Sequence, residues 1–298
     1  MLEHGDVEGS SPDRLVVIGA GGFVGGTIAD IAEKDGVEVL RLGRSDVDLT
    51  SQDAPEKLAG LLRPGDAIVA AAASAPVKNL DMLRDNIVLF GNIAAAVQTR
   101  AKDIVHVLNV SSDAIYADEP VPLTEETPAA PESYHGIMHL AREVHMKTVV
   151  PVPLASLRPT LIYGAGDPHN GYGPNKFRRQ AAAGEEIVLF GEGEERRDHV
   201  LIDDVADLAW LMVKHRSTGA LNAVTGDVST FRQIAELVVG LFPDPVAIKG
   251  SQRTGPMPHN GYRPFDNKAV SQAFPDFRFT PIEEGLKRAH MGEFGGDS

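Results

Sequence analysis

Short apolar segments alternate with longer amphipathic segments over the first half of the chain. The short segments are predicted to be strands, and they are Leu15 to Ile18, 37–43, 66–73, 104–112 and 154–164. The segments between them have apolar residues at helical spacing, near 54–62, 82–101 and 135–149. This alternation is typical of βαβ units, in which helices connect parallel strands. We therefore predict an α/β fold with a Rossmann-like, doubly wound parallel sheet.

The pattern changes after about Gly164. A loop-like stretch, "GAGDPHNGYGPNK", precedes a predicted helix at 175–184 and a short strand at 187–190. Beyond about residue 227, helical segments mix with proline-rich loops. We predict a smaller C-terminal substrate lobe, partly interleaved with the first. The expected units are a disordered tail (1–13), a Rossmann lobe (14–163 with about 196–226) and a substrate lobe (about 164–195 with 227–298).

Composition narrows the functional classes. The chain has 298 residues, no cysteine, and no apolar run long enough for a transmembrane helix, and its first residues lack the apolar core of a signal peptide. We therefore expect a cytoplasmic protein without disulfides or thiol catalysis. A net charge of −14 disfavours nucleic acid as a partner. An anionic small molecule would need a local cluster of arginines.

Three glycines follow the first predicted strand in the segment "GAGGFVG". Gly19, Gly22 and Gly25 are spaced three apart, with Phe23 and Val24 between the last two. Glycine permits a tight turn and lets backbone amides approach a pyrophosphate at a helix N-terminus. At this place in a βαβ unit we predict a dinucleotide site. The alternative is an ordinary strand–helix turn.

The end of the second predicted strand indicates which cofactor binds. The position that often carries an acidic residue for the ribose holds Gly43 and Arg44. A guanidinium suits a 2′-phosphate, so we prefer NADP. Asp46 could instead contact the ribose, which would allow NAD. Asp48 and Leu49 are candidates to lie at the adenine.

Several motifs occur in the order found in one known family. The chain contains "GAGGFVG", "DAIVAAAA", "VSSDAIYAD", "TPAAPESYHGIMHLARE", "RPTLIYGAGD" and "FGEGEERRDHVLIDDVADLAW". From Arg14 to about Ala289 it resembles the extended short-chain dehydrogenase/reductases, in their nucleotide-sugar epimerase/dehydratase branch. The resemblance implies a homodimer built through the helices 82–101 and 135–149, with a nucleotide-diphosphate sugar as ligand. The cofactor positions that it implies are Ala71, Ala72, Ala73, Asn86, His139, Thr160, Leu161 and Ile162, and the substrate positions are Asn175, Lys176, Arg197 and Arg263.

One departure from the family pattern concerns its catalytic pair, Tyr-x-x-x-Lys. In the family, the tyrosine transfers a proton, while the lysine supplies positive charge and holds the nicotinamide ribose. In this chain, the two positions hold His135 and His139, and Tyr134 comes one residue earlier. A shift of register by one would give Tyr134 a neutral Met138 as its partner. The family pair is therefore absent in either register.

Four interpretations of this segment stay open. His135, His139 and Glu143 share one helical face and could bind zinc, although the general base of an HExxH site is missing. His135 could transfer the proton, with His139 on the ribose and its charge lowering the pKa of His135. Tyr134 could act instead through a local twist of the helix start. The site could also be degenerate, leaving a regulatory or structural subunit that only binds the cofactor.

Ser112 and Asp113 complete the candidate catalytic set. The resemblance places Ser112 at the family's Ser/Thr position, where its hydroxyl would orient the proton-transfer group. Family members that eliminate water tend to have Asp then Glu after this position, whereas this chain has Asp113 then Ala114. A 4,6-dehydratase is therefore disfavoured. We expect an NAD(P)-dependent nucleotide-sugar oxidoreductase or epimerase that uses His135 with Ser112, and no resident metal.

Overall fold

The computed structural model describes residues 2–295, in which strands and helices alternate as predicted. The strands are β1 (Arg14–Ile18), β2 (Glu38–Leu42), β3 (Asp66–Ala70), β4 (Ile104–Val110), β5 (Leu154–Pro159), β6 (Leu161–Tyr163), β7 (Ile187–Phe190), β8 (Arg196–Leu201), β9 (Gly219–Ala223), β10 (Val228–Thr230), β11 (Ile248–Ser251) and β12 (Tyr262–Arg263). The helices are α1 (Phe23–Lys34), α2 (Ala54–Leu61), α3 (Leu80–Thr99), α4 (Tyr134–Val149), α5 (Pro174–Ala182), α6 (Ile202–Lys214), α7 (Phe231–Val239), α8 (Lys268–Ala273) and α9 (Ile282–Phe294). None of the helices within 2–295 combines the length and the apolar character that a membrane span requires.

The largest sheet is parallel and confirms the predicted Rossmann-like α/β fold. Its strands lie in the order β2-β1-β3-β4-β5-β9, and each neighbouring pair is parallel. The chain adds β2 on one side of β1. It then crosses over β1 and adds β3, β4 and β5 in turn on the other side. Doubly wound sheets bind ligands beyond the carboxyl ends of their strands at such a switch point.

Both faces of this sheet are covered by helices, which explains why its strands are apolar throughout. In β1, Leu15 and Val17 face one core, which includes residues of α1 and α6. Val16 and Ile18 face the other core, which includes residues of α2, α3 and α4. Successive side chains of a strand point to opposite faces, so a strand buried on both faces needs a continuous apolar run.

A second part of the molecule is built from short strands. β8 pairs with β6, β10 and β12, while β7 pairs with β11 in a separate two-stranded sheet. Residues of β7, α5, α7 and α9 share a further apolar core. The sequence assignment placed β6 and β8 with the Rossmann lobe, whereas their backbone pairing places them in this second sheet. Within 196–226, α6 and β9 do belong to the large sheet and its helical layer.

The N-terminal residues are ordered, so the prediction of a disordered tail over 1–13 is wrong for residues 2–13. Glu3 pairs with Thr218 beside β9, with N···O distances of 3.0 and 2.8 Å. The two ring nitrogens of His4 contact the Ser217 hydroxyl at 2.9 Å and the Ala273 carbonyl at 3.0 Å. The low apolar content suggested disorder, but distant backbone partners hold the segment. Met1 and residues 296–298, which belonged to the predicted tail and substrate lobe, lie outside the described residues.

Candidate functional site

A cleft of about 680 Å³ lies at the carboxyl ends of β1, β3, β4 and β5. It is bounded by the glycine turn before α1 and by the first half of α4. Most residues predicted for cofactor, substrate or proton transfer line it, namely Gly19, Gly22, Phe23, Val24, Gly25, Ala71, Ala73, Ser112, Asp113, His135, His139, Thr160, Leu161, Ile162, Asn175, Arg197 and Arg263. The sheet topology thus brings together residues that are far apart in the sequence.

The glycine turn at one end of the cleft is too tight for side chains. Gly19 has φ +97, and a Cβ there would lie 2.6 Å from the amide nitrogen of Ala72. A Cβ on Gly25 would lie 2.4 Å from the carbonyl oxygen of Gly19. Helix α1 begins directly after Gly22 and has no acidic residue in its first turn. Its first amides have no acceptor within the helix, so the turn fits an anionic pyrophosphate.

The residues predicted to surround the adenosine lie beyond β2, and the lining of the cleft within 2–295 does not include them. Arg44 is exposed to solvent. The Asp46 carboxylate accepts the Gly43 amide at 2.7 Å, and Asp48 accepts the backbone and hydroxyl of Thr50. Leu49 is buried in the apolar core. Arg44 therefore has a side chain available for a ligand, while both aspartates already hold the turn.

Asn86 supports the cleft wall and, within residues 2–295, is not part of the lining. It is 1% exposed, and its side-chain nitrogen donates to the carbonyls of Ser74 and Met82 at 3.0 and 2.8 Å. Its side-chain oxygen accepts the Ser74 amide at 2.9 Å. The cofactor role predicted for Asn86 is thus corrected to a positioning role, because its amide holds the loop that follows β3. Ala72 also lies behind the lining, against Gly19.

The start of α4 fixes which of its residues face the cleft. Ser133 caps the helix by accepting the Gly136 amide at 3.1 Å. A Cβ on Gly136 would lie 2.1 Å from the carbonyl oxygen of Ala114. This close approach turns His135 and His139 into the cleft. Tyr134 is 44% exposed and lies outside the cleft lining described for 2–295, so the structure does not support its predicted role in proton transfer.

The two imidazoles contact each other edge to face. Their ring centroids are 4.7 Å apart, and the Nδ1 atoms of both rings are buried without a hydrogen-bond partner in the described structure. Burial lowers the pKa of His135, although the Asp113 carboxylate partly opposes this effect. Burial lowers the pKa of His139 further, helped by His135 and Arg142. Both shifts favour the neutral ring at pH 7, so they do not support the interpretation in which a charged His139 lowers the pKa of His135.

Glu143 is engaged elsewhere, which removes the third ligand of the zinc interpretation. Its carboxylate accepts both Nε and Nη2 of Arg158 at 2.9 and 2.6 Å, and Ser111 donates to it at 2.5 Å. Within 2–295, no group of three or more His, Cys, Asp or Glu side chains is placed to hold a metal ion.

Ser112 and Asp113 lie just beyond β4, which ends at Val110, two residues before the end of the predicted strand 104–112. The Ser112 hydroxyl accepts the Ala114 amide at 3.1 Å and caps a short 3-10 helix, Asp113–Ile115. Asp113 is 8% exposed, and its carboxylate accepts Nε of Arg263 and the Thr160 hydroxyl, each at 3.3 Å. Ser112 lines the cleft, while the Asp113 carboxylate forms an ion pair with Arg263.

The predicted substrate residues differ in their availability. Arg263 is 3% exposed and is surrounded by the Asp113 and Asp118 carboxylates and by two backbone carbonyls. Asn175 uses its amide to hold Gly164, Asp167 and Arg178. Arg197 has one weak contact, to Glu195 at 3.4 Å, and a buried Nε without a partner in the described residues. Arg197 is therefore the guanidinium best placed to receive a ligand.

The sequence reasoning missed several lining residues, among them three histidines and one arginine. His169, His199 and His259 join His135 and His139, so five of the ten histidines of the chain line this cleft. Arg142 also lines it, one turn after His139. Only Arg142 carried a signal, because it shares a helical face with the histidines. The other three are on loops and strands whose proximity depends on the fold.

Comparison with known proteins agrees with this geometry. The sequence profile of the NAD dependent epimerase/dehydratase family matches residues 15–224, which include the glycine turn, Ser112 and α4. The chain belongs to this family. The family match spans the large sheet, except for the first residue of β1, and most of the cleft.

Individual relatives cover most of the chain. It is 29% identical to a UDP-glucose 4-epimerase of Mycolicibacterium smegmatis over 76% of this chain and 82% of that protein. It is also 29% identical to a dTDP-6-deoxy-L-talose 4-dehydrogenase (NAD(P)(+)) of Kitasatospora kifunensis, over 83% and 86% of the two chains. The crystal structure of the Thermus thermophilus UDP-glucose 4-epimerase in complex with NAD superposes with a TM-score of 0.81, at 21% identity, covering 96% of this chain and all (100%) of that one.

Proposed function

We propose that this protein is an NAD(P)-dependent nucleotide-sugar oxidoreductase or epimerase in which His135, with Ser112, transfers the proton. The observation that carries the proposal is that His135, His139 and Ser112 line the same cleft as the glycine turn. The relatives named above, an epimerase and a dehydrogenase of nucleotide sugars, support the same class of reaction.

The chemistry divides between the cofactor and the protein. A bound nicotinamide dinucleotide supplies the hydride acceptor and donor. Gly19, Gly22 and Gly25 would hold its pyrophosphate, and Thr160 and Ile162, which line the same cleft, would lie near its nicotinamide. His135 is neutral, so it can accept the hydroxyl proton of a sugar and return it. The Ser112 hydroxyl, fixed by the Ala114 amide, orients the proton that moves.

NADP is the cofactor that we favour, with NAD as the alternative. Arg44 is exposed beyond β2, where a 2′-phosphate on the adenosine ribose would find a guanidinium. Asp46, the acidic candidate for a free ribose hydroxyl, is already bonded to the Gly43 amide. The Kitasatospora relative and the Thermus structure include NAD(P) and NAD in their names, so they do not separate the two cofactors.

The substrate and the assembly follow from the same surfaces. Arg197 offers a guanidinium with few internal partners for the diphosphate of a nucleotide sugar, in a protein whose net charge is −14. We also propose a homodimer formed through α3 and α4. Apolar side chains on these two helices are exposed in the single chain, namely Leu80, Ile87, Val88, Ile137 and Val144.

Replacing His135 by phenylalanine tests the proposal. We expect turnover to fall by at least about 100-fold, the usual contribution of a proton-transfer group. Binding of the cofactor, measured as the rise in melting temperature with NADP or NAD, should persist. His145→Phe is the matched control, because His145 is on the same helix but packs against Phe90.

Two outcomes would contradict the proposal. If His135→Phe keeps full turnover, another group moves the proton. If the wild-type protein turns over no UDP-, dTDP- or GDP-sugar and still binds the cofactor, the protein is a degenerate family member that serves as a binding subunit.

A further inference from the structure

Arg142 lies on the same face of α4 as the two histidines, three residues after His139. It is 1% exposed, and it lines the cleft. Its guanidinium donates to the carbonyl oxygens of Ala70 and, at 3.0 Å, of Ala72. These carbonyls belong to the end of β3 and the segment after it, which forms one wall of the dinucleotide cleft.

No carboxylate among residues 2–295 forms an ion pair with Arg142. The adjacent Glu143 pairs with Arg158, and the ion pairs of residues 2–295 include none with Arg142. Its Nε is buried without a hydrogen-bond partner in the described structure. A buried, unpaired charge is costly, and an apolar residue of similar volume would avoid that cost. Hydrogen bonds to two backbone carbonyls offset only part of the cost of burying the guanidinium. We therefore infer that the charge has a role beyond packing.

We propose that Arg142 is the fixed positive charge of the proton-transfer site, acting on His139 and, more weakly, on His135. In this arrangement, Arg142 carries the positive charge of the site and both imidazoles stay neutral. Arg142 is a positioning residue, because it acts through the histidines and holds the end of β3. This inference rests on the proposed role of His135, but it can be tested without turnover.

The charges around the two imidazoles decide the direction of the effect. Asp113 faces His135 from the end of β4 and favours its protonated form, while His169 from the loop after β6 opposes it. His139 is flanked on its own helix by His135 and Arg142, both of which lower its pKa. Removal of the Arg142 charge should therefore make protonation of His139 more favourable. The direct effect of the same charge on His135 has the same sign and is weaker, because His135 lies seven residues from Arg142 on the helix and His139 only three.

Histidine titration by NMR in the cofactor-free protein is the direct test. Resonances are assigned from their loss in His135→Phe and His139→Phe. In Arg142→Met, we expect the pKa of His139 to rise by on the order of one pH unit, with a smaller rise for His135. In Arg142→Lys, which retains the charge, both should stay near their wild-type values. In the active enzyme, the acidic limb of the kcat/KM profile should move to higher pH in Arg142→Met.

Arg178→Met is the matched control for loss of a buried guanidinium. Arg178 is fully buried, donates to the carbonyls of Ala289 and Gly164 at 2.7 Å each, and also has a buried Nε without a partner in the described residues. Its loss should lower the melting temperature without moving the His135 or His139 titrations. If Arg142→Met does not fold, Arg142→Gln keeps two N–H donors for the same carbonyls without the charge.

The outcomes separate this inference from the proposed function. Unchanged titrations in the neutral Arg142 variants, or equal shifts in Arg178→Met, would overturn it and leave Arg142 a structural residue. Shifted titrations in a protein that turns over no nucleotide sugar would sustain the charge effect and reject the proposed function instead.

Discussion

Gly25 offers the sharpest test of the proposed dinucleotide turn. It is the third glycine of the motif and lies in the first turn of α1. In Gly25→Ala, the new Cβ would lie 2.4 Å from the Gly19 oxygen, 3.0 Å from the Gly19 carbonyl carbon and 3.3 Å from the Ala71 Cβ. The nearest atoms are backbone, so no side chain can rotate away. The glycine turn at Gly19 and the first turn of α1 must therefore move apart to make room for the new methyl group.

The size of the effect follows from these distances. Ordinary van der Waals contact begins at 3.4 Å, so the Gly19 carbonyl and the new Cβ must separate by about 1 Å. Overpacking of this kind costs about 1–3 kcal/mol, while alanine regains up to about 1 kcal/mol of helix propensity. We expect a net loss of about 1 kcal/mol in the free energy of unfolding, or a melting temperature about 2–4 °C lower.

The effect on cofactor binding should be larger than the effect on stability. A displacement of about 1 Å removes at least one charge-assisted hydrogen bond between the turn amides and a phosphate, about 1.5–3 kcal/mol. This corresponds to a dissociation constant about 10- to 150-fold higher. Calorimetric titration with NADP and NAD, alongside thermal melting of the cofactor-free protein, measures both quantities.

Gly21→Ala controls for adding a methyl group to the same loop. None of the atoms of residues 2–295 lies within 4 Å of a Cβ at this position, so the melting temperature of the cofactor-free protein should not change. If Gly25→Ala binds the cofactor as tightly as the wild type, the pyrophosphate does not sit on this turn. If both variants lose the same stability, the close approach at Gly25 is not what makes glycine necessary.

Two further predictions concern Arg44 and His106. Arg44→Ala should weaken NADP binding by about tenfold or more and leave NAD binding unchanged, because only NADP carries the 2′-phosphate. The NADP preference would be rejected if the wild type binds NADH more tightly than NADPH and the variant binds both as the wild type does. Burial lowers the pKa of His106 to about 4. The unfolded chain therefore gains a proton near pH 6.5 that the folded protein does not bind, and stability falls as the pH drops from 6.5 to 4. In His106→Gln this loss is absent, so denaturant unfolding should show the variant gaining about 2 kcal/mol relative to the wild type between about pH 7 and about pH 5; a constant difference would contradict the assignment.

The fold was predictable from the sequence where the pattern of neighbouring residues is enough to define a strand, a turn or a helix. In β1, the turn and α1, an apolar run, three glycines and a helical pattern follow one another, and each is used as predicted. Helix α4 was predicted from 135 and begins at Tyr134, because Ser133 caps it through the Gly136 amide. The pairing of β6 and β8 was missed, because strand pairing depends on contacts between residues about 38 apart, such as Leu161 with His199.

The roles of site residues were harder to predict where a polar side chain can form hydrogen bonds either with a ligand or with the protein itself. A motif identifies the position of a polar residue but not the hydrogen bonds that it makes. Asn86 and Asn175 lie where expected, yet their amides are used to hold loops. Arg263 reaches the cleft, yet its donors are taken by Asp113, Asp118 and two carbonyls. Among these predicted substrate residues, Arg197 combines the expected position with free donors.

The proposed catalytic pair, His135 and His139, illustrates how position and charge can separate on one helix. Spacing of four places His135 and His139 on the cleft face, as expected for a helix. It does not determine their charge, because desolvation lowers the pKa of a ring that is 6% exposed, like His139, and the neighbouring His135 and Arg142 lower it further. A guanidinium keeps its proton under the same burial, since its ordinary pKa is far higher. If His139 takes the place of the lysine, as we propose, the positive charge must come from a neighbouring position, and we assign it to Arg142 on the same face of α4.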